Sequence, residues 1–362
     1  MTTPAGASAT VLPKARYTFG GDEFLFVEVS EAMSLAANFR ATLIAKGIAD
    51  RGIDGIVELC PANASLLIRF DPDVIHPFEL RDTVSAIEDE VMAGGSSILE
   101  TRVVEIPVWY EDPFTAEVVQ RFREGYHQDP SGTDLDYAAK VNGLADAAAF
   151  IKAHQESPWL VTMVGFVAGL PFMFQLVDQE RQLEVPKYRA PRTDTPKLTV
   201  GHGGAFACIY SVRGAGGYQM FGVAAAPIFE PAQQGADFRE SMFFFRPGDV
   251  VKFRPVDKAE YEAIQEQVEA GTFTFKQAPV QFDMDRALAE GPAYNAELLS
   301  VLEEDPAGAS KFSPPACRRP SRTVVVPGTT TSGFRRVARS TVSPRRRRTP
   351  LSATLPTTPS SR

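Results

Sequence analysis

Cysteine is scarce in this chain: its 362 residues include three, Cys60, Cys208 and Cys317, with no CxxC pair. An odd and widely spaced set argues against a disulfide framework and against a cysteine zinc site. The first residues, MTTPAGASATVLPKAR, also lack the apolar segment of a secretory signal peptide. Together these absences favour a protein of the reducing cytoplasm.

Motifs that hold a nucleotide, a metal or biotin are missing as well. The sequence has no GxxxxGK[ST] loop, no MKM-type biotin attachment stretch and no HExxH. The glycine-rich stretch RGAGGYQMFG (213–222) lacks the GxGxxG spacing, which favours a turn between strands over a phosphate loop. Metal-ligand spacing is also missing from the four histidines, which are His76, His127, His154 and His202. We therefore expect no metal site, and no cofactor held by a motif of this chain.

Acidic residues are absent from the end of the chain. Lys311 to Arg362 contains 12 Lys and Arg, which leaves 37 − 12 = 25 basic against 45 acidic residues, about −20, in residues 1–310. So acidic a body argues against nucleic acid as a partner, because phosphate contacts need Lys and Arg. The Pro, Ser, Thr and Arg composition predicts disorder over 305–362. This tail is a basic arm that binds RNA, membrane or an acidic partner, or else a flexible appendage or an out-of-frame extension.

Charge is also absent from the run WLVTMVGFVAGLPFMFQLV, Trp159 to Val177. Its length approaches the roughly 20 apolar residues of a membrane-spanning helix. Gly165, Gly169 and Pro171 interrupt it, and proline would remove a helix donor and clash with the preceding turn. The pattern favours a buried strand at 159–166 followed by a glycine-proline turn, where the main chain can approach a ligand or another chain closely.

The hydrophobic pattern of residues 17–106 predicts an α+β domain after a disordered N-terminus at 1–16. Strands and helices alternate in the order β-α-β-β-α-β, at 23–29, 31–47, 53–60, 64–70, 77–93 and 97–108. The second helix carries apolar residues at spacings of 4, 3 and 4, and Gly94 and Gly95 end it. This order is the ferredoxin-like arrangement.

The remainder of the chain has a different pattern. Residues 107–157 are predicted to form a helical connection. Short strands with frequent Gly and Pro follow, which is typical of a β-barrel or sandwich at 158–304. A closing helix is predicted at 257–270.

Five ordered stretches carry a resemblance to a known family: His154, GFVAGLPFM (165–173), PKYRAPRTDTPKLTVGHGGAFACIYS (186–211), AGGYQMFG (215–222) and RPGDVVKF (246–253). They resemble the family of KipI, allophanate hydrolase subunit 1 and the 5-oxoprolinase B subunit, which also forms the first half of the carboxyltransferase domain of urea carboxylase. The resemblance covers most of residues 17–255. It implies a ferredoxin-like N-terminal domain followed by a cyclophilin-like β-barrel.

The resemblance also implies a function. The chain would be the first-half subunit of a carboxyltransferase or amidohydrolase-type enzyme, of the urea carboxylase, allophanate hydrolase or 5-oxoprolinase type. It would act on a small amide or urea-like substrate together with a paralogous second-half subunit. A biotin carrier or lactam-hydrolase partner would supply biotin or ATP.

Site residues follow from the same comparison. His154 would move or orient a proton, and Arg192, which stands on a family arginine, would hold an anionic group. Residues predicted to bind substrate are Lys187, Arg213, Tyr218, Gln219, Gly165, Gly169 and His202.

Some residues depart from the family pattern. Phe206 and Ala207 replace a polar pair, and residues 109–133 replace a shorter stretch of different composition. The loss of polar groups favours an alternative, a regulatory protein of the KipI type that inhibits a histidine kinase by contact. Analogy between barrels suggests a third function, peptidyl-prolyl isomerisation.

Overall fold

The computed structural model describes residues 12–94 and 97–303, which form three β-sheets of four, eight and two strands. The N-terminal elements are β1 (Arg16–Gly20), β2 (Phe24–Glu28), α1 (Leu35–Arg51), β3 (Ile56–Pro61), β4 (Ser65–Phe70) and α2 (Pro77–Met92). The four strands of residues 12–94 form an antiparallel sheet in the order β1-β2-β4-β3. The predicted basic tail from 305 and residues 1–11 of the predicted disordered N-terminus lie outside the described residues.

The core of this N-terminal layer comes from strict alternation along its strands. Leu25 and Val27 of β2 are fully buried, whereas Phe24 and Phe26 point to the other face. Helices α1 and α2 contribute the opposing apolar side chains, which include Ile44, Ile48, Leu80, Val84 and Ile87. Helix α1 begins at Ser34, whose hydroxyl accepts the N–H of Ala37 at 3.1 Å, and ends at Gly52 with φ of 54°.

The last strand of the predicted β-α-β-β-α-β unit was wrongly assigned to this sheet. That strand, β5 (Ile98–Tyr110), pairs with barrel strands, and the edge beside β2 is taken by β1. β1 and β2 form a hairpin around Gly21, at φ of 63°. The short β1–β2 connection closes at little cost in chain entropy, which favours β1 as the neighbour of β2. β5 is apolar enough to be buried in the barrel instead. The ferredoxin-like order is therefore present only through α2.

A closed barrel follows. Its further elements are α3 (Pro113–Arg123), α4 (Asp134–Val141), α5 (Ala147–Glu156), β6 (Trp159–Val164), β7 (Pro171–Gln175), β8 (Arg192–Thr195), β9 (Thr199–Gly203), β10 (Phe206–Ile209), β11 (Gly214–Gly216), β12 (Gln219–Ala224), β13 (Val250–Pro255), α6 (Lys258–Glu269), β14 (Gln277–Asp283), α7 (Met284–Glu290) and α8 (Pro292–Ser300). Among the described residues, seven strands close the ring β12-β9-β10-β7-β6-β13-β5, in which β5 returns to β12. This closure is consistent with a cyclophilin-like barrel.

The uncharged run forms two strands of this barrel. β6 and β7 pair antiparallel, with Val164 opposite Pro171, and the N–H of Gly165 bonds to the carbonyl of Leu170 at 3.0 Å. The predicted strand followed by a glycine-proline turn is confirmed. None of the helices in the described part of the chain has the length and apolarity needed to cross a membrane.

Helix α5 fills the barrel interior at one end. Its Phe150 and His154 are fully buried and contact aromatic rings of several strands, among them Trp159, Phe221 and Phe253. Helix α3 packs on the opposite face of β12, where its Val118, Val119 and Phe122 cluster with Met220. Apolar residues of α4 belong instead to the core cluster of the barrel, namely Leu135, Ala138 and Ala139. Polar side chains between α4 and β12, such as Asp134 and Gln219, are therefore sealed from water.

Candidate functional site

Arg192 lies under the outer layer of the barrel, at the start of β8. Its side chain is 0% exposed, and its guanidinium carbon lies 4.3 Å from the ring centroid of Tyr188. Nη2 reaches the hydroxyl of Thr195 at 3.4 Å. The Nε and Nη1 groups have no hydrogen-bond partner among the described residues. Arg192 therefore offers two buried, unused donors in one plane.

Asp134, the first residue of α4, joins this arginine to a buried polar network. Its carboxylate accepts the hydroxyl of Tyr188 at 2.8 Å, the N–H of Met220 at 2.8 Å and Nη1 of Arg123 at 2.5 Å. Arg123 is 7% exposed and Asp134 is 1% exposed. We call Arg123, Asp134, Tyr188 and Arg192 the Arg192 cluster.

The charges of the Arg192 cluster do not balance. Burial raises the pKa of Asp134, while the Met220 N–H, the Tyr188 hydroxyl and the two guanidinium groups lower it. Even with Asp134 ionised, two buried guanidinium groups face one carboxylate within this cluster. An uncompensated buried charge costs several kcal/mol, roughly 3–5 when a partner is lost. The cluster is therefore built to accept a further negative charge.

Lys187 and Tyr218 lie beside the cluster. The ammonium of the exposed Lys187 lies 5.2 Å from the Tyr218 ring centroid. The positive charges of Arg192 and Lys187 both lower the pKa of the Cys208 thiol. Burial is the larger effect, however, and raises that pKa above its ordinary value. Burial likewise raises the pKa of the Tyr210 and Tyr218 hydroxyls. These groups are neutral hydrogen-bond donors near neutral pH, surrounded by positive charge.

The predicted glycines border this region without facing it. Leu170, at the end of the 165–170 turn, packs with Tyr210 and Tyr218. The N–H of Gly165 is used within the turn. Gly169 is buried at φ of 76°, where an added Cβ would lie 3.1 Å from the Phe243 ring. The two glycines therefore shape the turn rather than donate to a ligand from this conformation.

Gln219 holds the covering segment in place. Its side chain is fully buried, its Oε1 accepts Nε2–H of His127 at 2.8 Å, and its Nε2 donates to the carbonyl of Pro186 at 2.8 Å. Nδ1 of His127 lies 2.8 Å from the backbone nitrogen of Asp129 and 2.6 Å from its carbonyl oxygen. Gln219 thus fixes the 186–188 segment that carries Lys187 and Tyr188. Both the oxygen and the nitrogen of its side-chain amide are engaged.

His154 and His202 lie inside the barrel, apart from the hydrogen bonds of the Arg192 cluster. The two rings are 6.3 Å apart. Nδ1 of His154 bonds to the Tyr110 hydroxyl at 2.9 Å, and its Nε2 has no partner among the described residues. Nε2 of His202 donates to the carbonyl of Leu183 at 3.0 Å. Burial lowers the pKa of His154 far below its usual range and that of His202 to about 4. Their roles toward substrate stay predictions.

Replacing His202 with glutamine should weaken the pH dependence of stability. In the unfolded chain the pKa of His202 is roughly 6.5, its ordinary value. In the folded chain burial lowers that pKa to about 4. Its contribution is therefore present above pH ~6.5 and is lost as the pH falls toward 4. Urea titrations at about pH 7.5 and about pH 5 test this. An unchanged difference between the two titrations would contradict the expectation; the pH 7.5 titration alone reports packing.

Arg213 is placed away from the Arg192 cluster. Its side chain is exposed, and its Nε and Nη2 both bond to the Asp194 carboxylate at 2.7 Å. Arg121 shares that carboxylate at 2.8 Å. Of the nine predicted residues, the structure brings together Arg192, Lys187 and Tyr218, with Gln219 as a support. The network residues Arg123, Asp134 and His127 were missed.

The fold gives the class of the protein first: an antiparallel layer with two helices, followed by a closed seven-stranded barrel in the described residues. The family described as carboxyltransferase domain, subdomain C and D, matches residues 15–238. This chain belongs to that family. The resemblance inferred from the motifs is thereby confirmed.

Relatives of two lengths share this domain. Urea amidolyase of Lachancea kluyveri is 30% identical over 301 residues, which are 82% of this chain and 16% of that protein. The 5-oxoprolinase B subunit of Bacillus subtilis (strain 168) is 26% identical over 68% of this chain and 95% of its own length. The crystal structure of K. lactis urea amidolyase superposes with a TM-score of 0.68 at 26% identity, over 82% of this chain and 18% of that one. The chain spans about a sixth of the urea amidolyases it matches.

Proposed function

We propose that this chain is the first-half subunit of a carboxyltransferase or amidohydrolase-type enzyme. It acts on a small amide or urea-like substrate together with a paralogous second-half subunit. Membership of the carboxyltransferase family supports this assignment, as does the match to nearly the full length of a 5-oxoprolinase B subunit. The chain combines an antiparallel four-stranded layer and a closed barrel that is consistent with a cyclophilin-like one. The observation that carries the proposal is the buried guanidinium of Arg192 with two unused donors.

Arg192 is suited to a planar anion. A guanidinium holds the two oxygens of a carboxylate through Nε and Nη2 or through Nη1 and Nη2. Each of these pairs includes one of the two unused donors of Arg192. The Arg192 cluster lacks one negative charge, so the carboxylate of a substrate or of a carboxylated carrier would complete it. Lys187 adds a further cation beside the cluster, and the hydroxyl of Tyr218 is a neutral donor for charge that develops on an amide oxygen.

Cofactors would come from partners. The Arg192 cluster fits the carboxylate of a carboxybiotin-like group, which when bound would supply the carboxyl group for transfer. The sequence has no phosphate-binding loop, so ATP-dependent steps would belong to another subunit. The residues of this chain would bind and orient the acceptor.

Access to Arg192 requires movement. Its side chain is fully covered in the isolated chain, while Lys187 beside it is exposed. A lysine on the surface changes rotamer at low cost. We infer that docking of the second-half subunit moves the Tyr188 ring off the Arg192 guanidinium, together with the neighbouring Lys187, and so opens the path to Arg192. The complex, rather than the single chain, would then be the active species.

Substitution in the reconstituted complex tests the assignment. Arg192→Gln should lower kcat/KM about 100-fold, because a charge-assisted bidentate contact is lost in the transition state. Lys187→Gln should cost about tenfold. Arg189→Gln is the matched control, since Arg189 is an exposed neighbour and, within the described part of the chain, donates only to the Gly125 carbonyl at 3.3 Å. Failure to associate with a second-half subunit, or full activity of Arg192→Gln, would refute the proposal.

One observation favours the regulatory alternative. Ala207 is fully buried and the half-buried Phe206 packs against Phe172 and Phe174, so apolar packing replaces the family's polar pair. A KipI-type regulator would not need polar groups here, because it would contact a kinase and turn over no substrate. It predicts no turnover on any amide with or without the second-half subunit, so the same reconstitution separates the two functions.

A further inference from the structure

A surface cavity of about 350 Å³ lies outside the barrel, away from the Arg192 cluster. Helix α3, the β8–β9 connection, β12 and α6 enclose it. Its lining residues include Phe114, Val118, Val223, Tyr261, Lys197 and Arg213, and neither Arg192 nor Lys187 is among them. The volume falls within the range of small-molecule sites, roughly 300–1,000 Å³.

One side of this cavity is aromatic. Phe114 is 52% exposed although it belongs to a well-ordered helix. Its ring centroid lies 6.3 Å from that of Tyr261, and Trp109 lies 6.2 Å from Phe114 and 5.3 Å from Tyr261. An exposed phenylalanine beside a second ring gives a planar, apolar ligand a surface to stack on.

The other side is cationic. Lys197 is exposed and has no ion pair among the described residues. The turn that carries it is fixed, because the N–H of Leu198 donates to the Tyr210 carbonyl at 2.6 Å and the Thr199 hydroxyl donates to the Pro196 carbonyl at 2.8 Å. Lys197 therefore presents an uncompensated charge from a rigid backbone.

The charges around the cavity favour an anion. Arg213 contributes a second cation, which Asp194 neutralises in part. The one carboxylate among the residues that line the cavity, Glu117, lies 3.6 Å from Nε of Arg121. Lys197 is thus left as the free partner for a bound acid.

We propose that this cavity is a second ligand site, which binds a small carboxylate with an apolar body of one ring. The ring packs against the exposed Phe114 and its neighbour Tyr261, which are already in contact with each other, and the carboxylate pairs with Lys197. This site is independent of the Arg192 cluster and of the reaction proposed there.

Titration of the full chain with phenylacetate tests the proposal, with fluorescence of Trp109 and ligand-observed NMR as readouts. Saturable binding in the millimolar range is expected, weakened by salt, whereas uncharged phenylacetamide should bind less tightly and without salt dependence. Lys197→Gln should raise the Kd three- to fivefold, and Phe114→Ala about five- to tenfold. Both residues are exposed, so both variants should fold.

Two matched variants make the result decisive. Lys276→Gln removes another exposed lysine and should leave the Kd unchanged. Arg192→Gln should also leave it unchanged, because the two sites are separate. No saturable binding, an equal effect of Lys276→Gln and Lys197→Gln, or loss of binding in Arg192→Gln would overturn the second site. The last outcome would place the carboxylate at the Arg192 cluster instead.

Discussion

Asp134→Asn is expected to lower the free energy of unfolding by about 3–5 kcal/mol, which is the usual cost of removing one partner from a buried ion pair. The carboxylate is 1% exposed and accepts from Arg123, Tyr188 and Met220. Asparagine keeps the shape but removes the charge. It also places an amide where one of those donors needs an acceptor. Two buried guanidinium groups would then face no carboxylate within the cluster.

Urea denaturation measures the loss, and Asp136→Asn provides the control. Asp136 lies two residues further along α4 and is exposed, and its carboxylate caps the helix by accepting the N–H of Thr133 at 2.8 Å. Its replacement should cost about 1 kcal/mol. Similar losses in both variants would show that Asp134 acts as a helix-end residue and that the charge of the Arg192 cluster is unimportant.

Gly222→Ala should lower the free energy of unfolding by about 3 kcal/mol, because it overpacks the β5–β12 pairing, the seam that closes the barrel. Gly222 of β12 lies opposite Tyr110 of β5. An added Cβ would lie 2.5 Å from the Trp109 carbonyl oxygen and 2.9 Å from the Tyr110 Cα. These are backbone atoms of a strand that is paired on both sides, so they cannot move aside without breaking the β5–β12 pairing.

Gly214→Ala is the control for this substitution. Gly214 belongs to the same motif, has no heavy atom within 4 Å of an added Cβ and does not require a positive φ. The two variants should differ in thermal denaturation by several degrees, with Gly214→Ala within about 0.5 kcal/mol of the parent. If Gly222→Ala were equally stable, the seam would have to be looser than the structure shows.

The elements that local pattern decides were predictable from sequence. The uncharged run and its Gly-Pro interruption predict the strand at 159–166 and the turn after it, and the spacing of Leu80, Val84 and Ile87 predicts α2. The partner of β5 could not be read from its pattern, because an apolar strand fits the centre of either sheet. A local hairpin supplied β1 to the first sheet, which left β5 for the barrel.

The candidate site was predicted in part for a similar reason. Lys187, Arg192 and Tyr218 belong to stretches that match the family, and the structure brings them together. Asp134 lies 54 residues from Tyr188 and 86 from Met220. In sequence it is the last residue of the turn-rich stretch QDPSGTD (128–134), where an aspartate is typical of an ordinary helix start. Only the packing of α4 on β12 makes it the counterion of two arginines.

The position of β5 determines how much of the chain can fold while it is being translated. β12, β13 and β14, its three partners, are all translated after it, and the ring cannot close before Pro255 has left the ribosome. The N-terminal layer, by contrast, has only nearby pairings and can fold as it emerges. A nascent chain therefore exposes a long apolar strand edge while residues 111–255 are made. We expect barrel closure, with its distant pairings, to be the slow folding step.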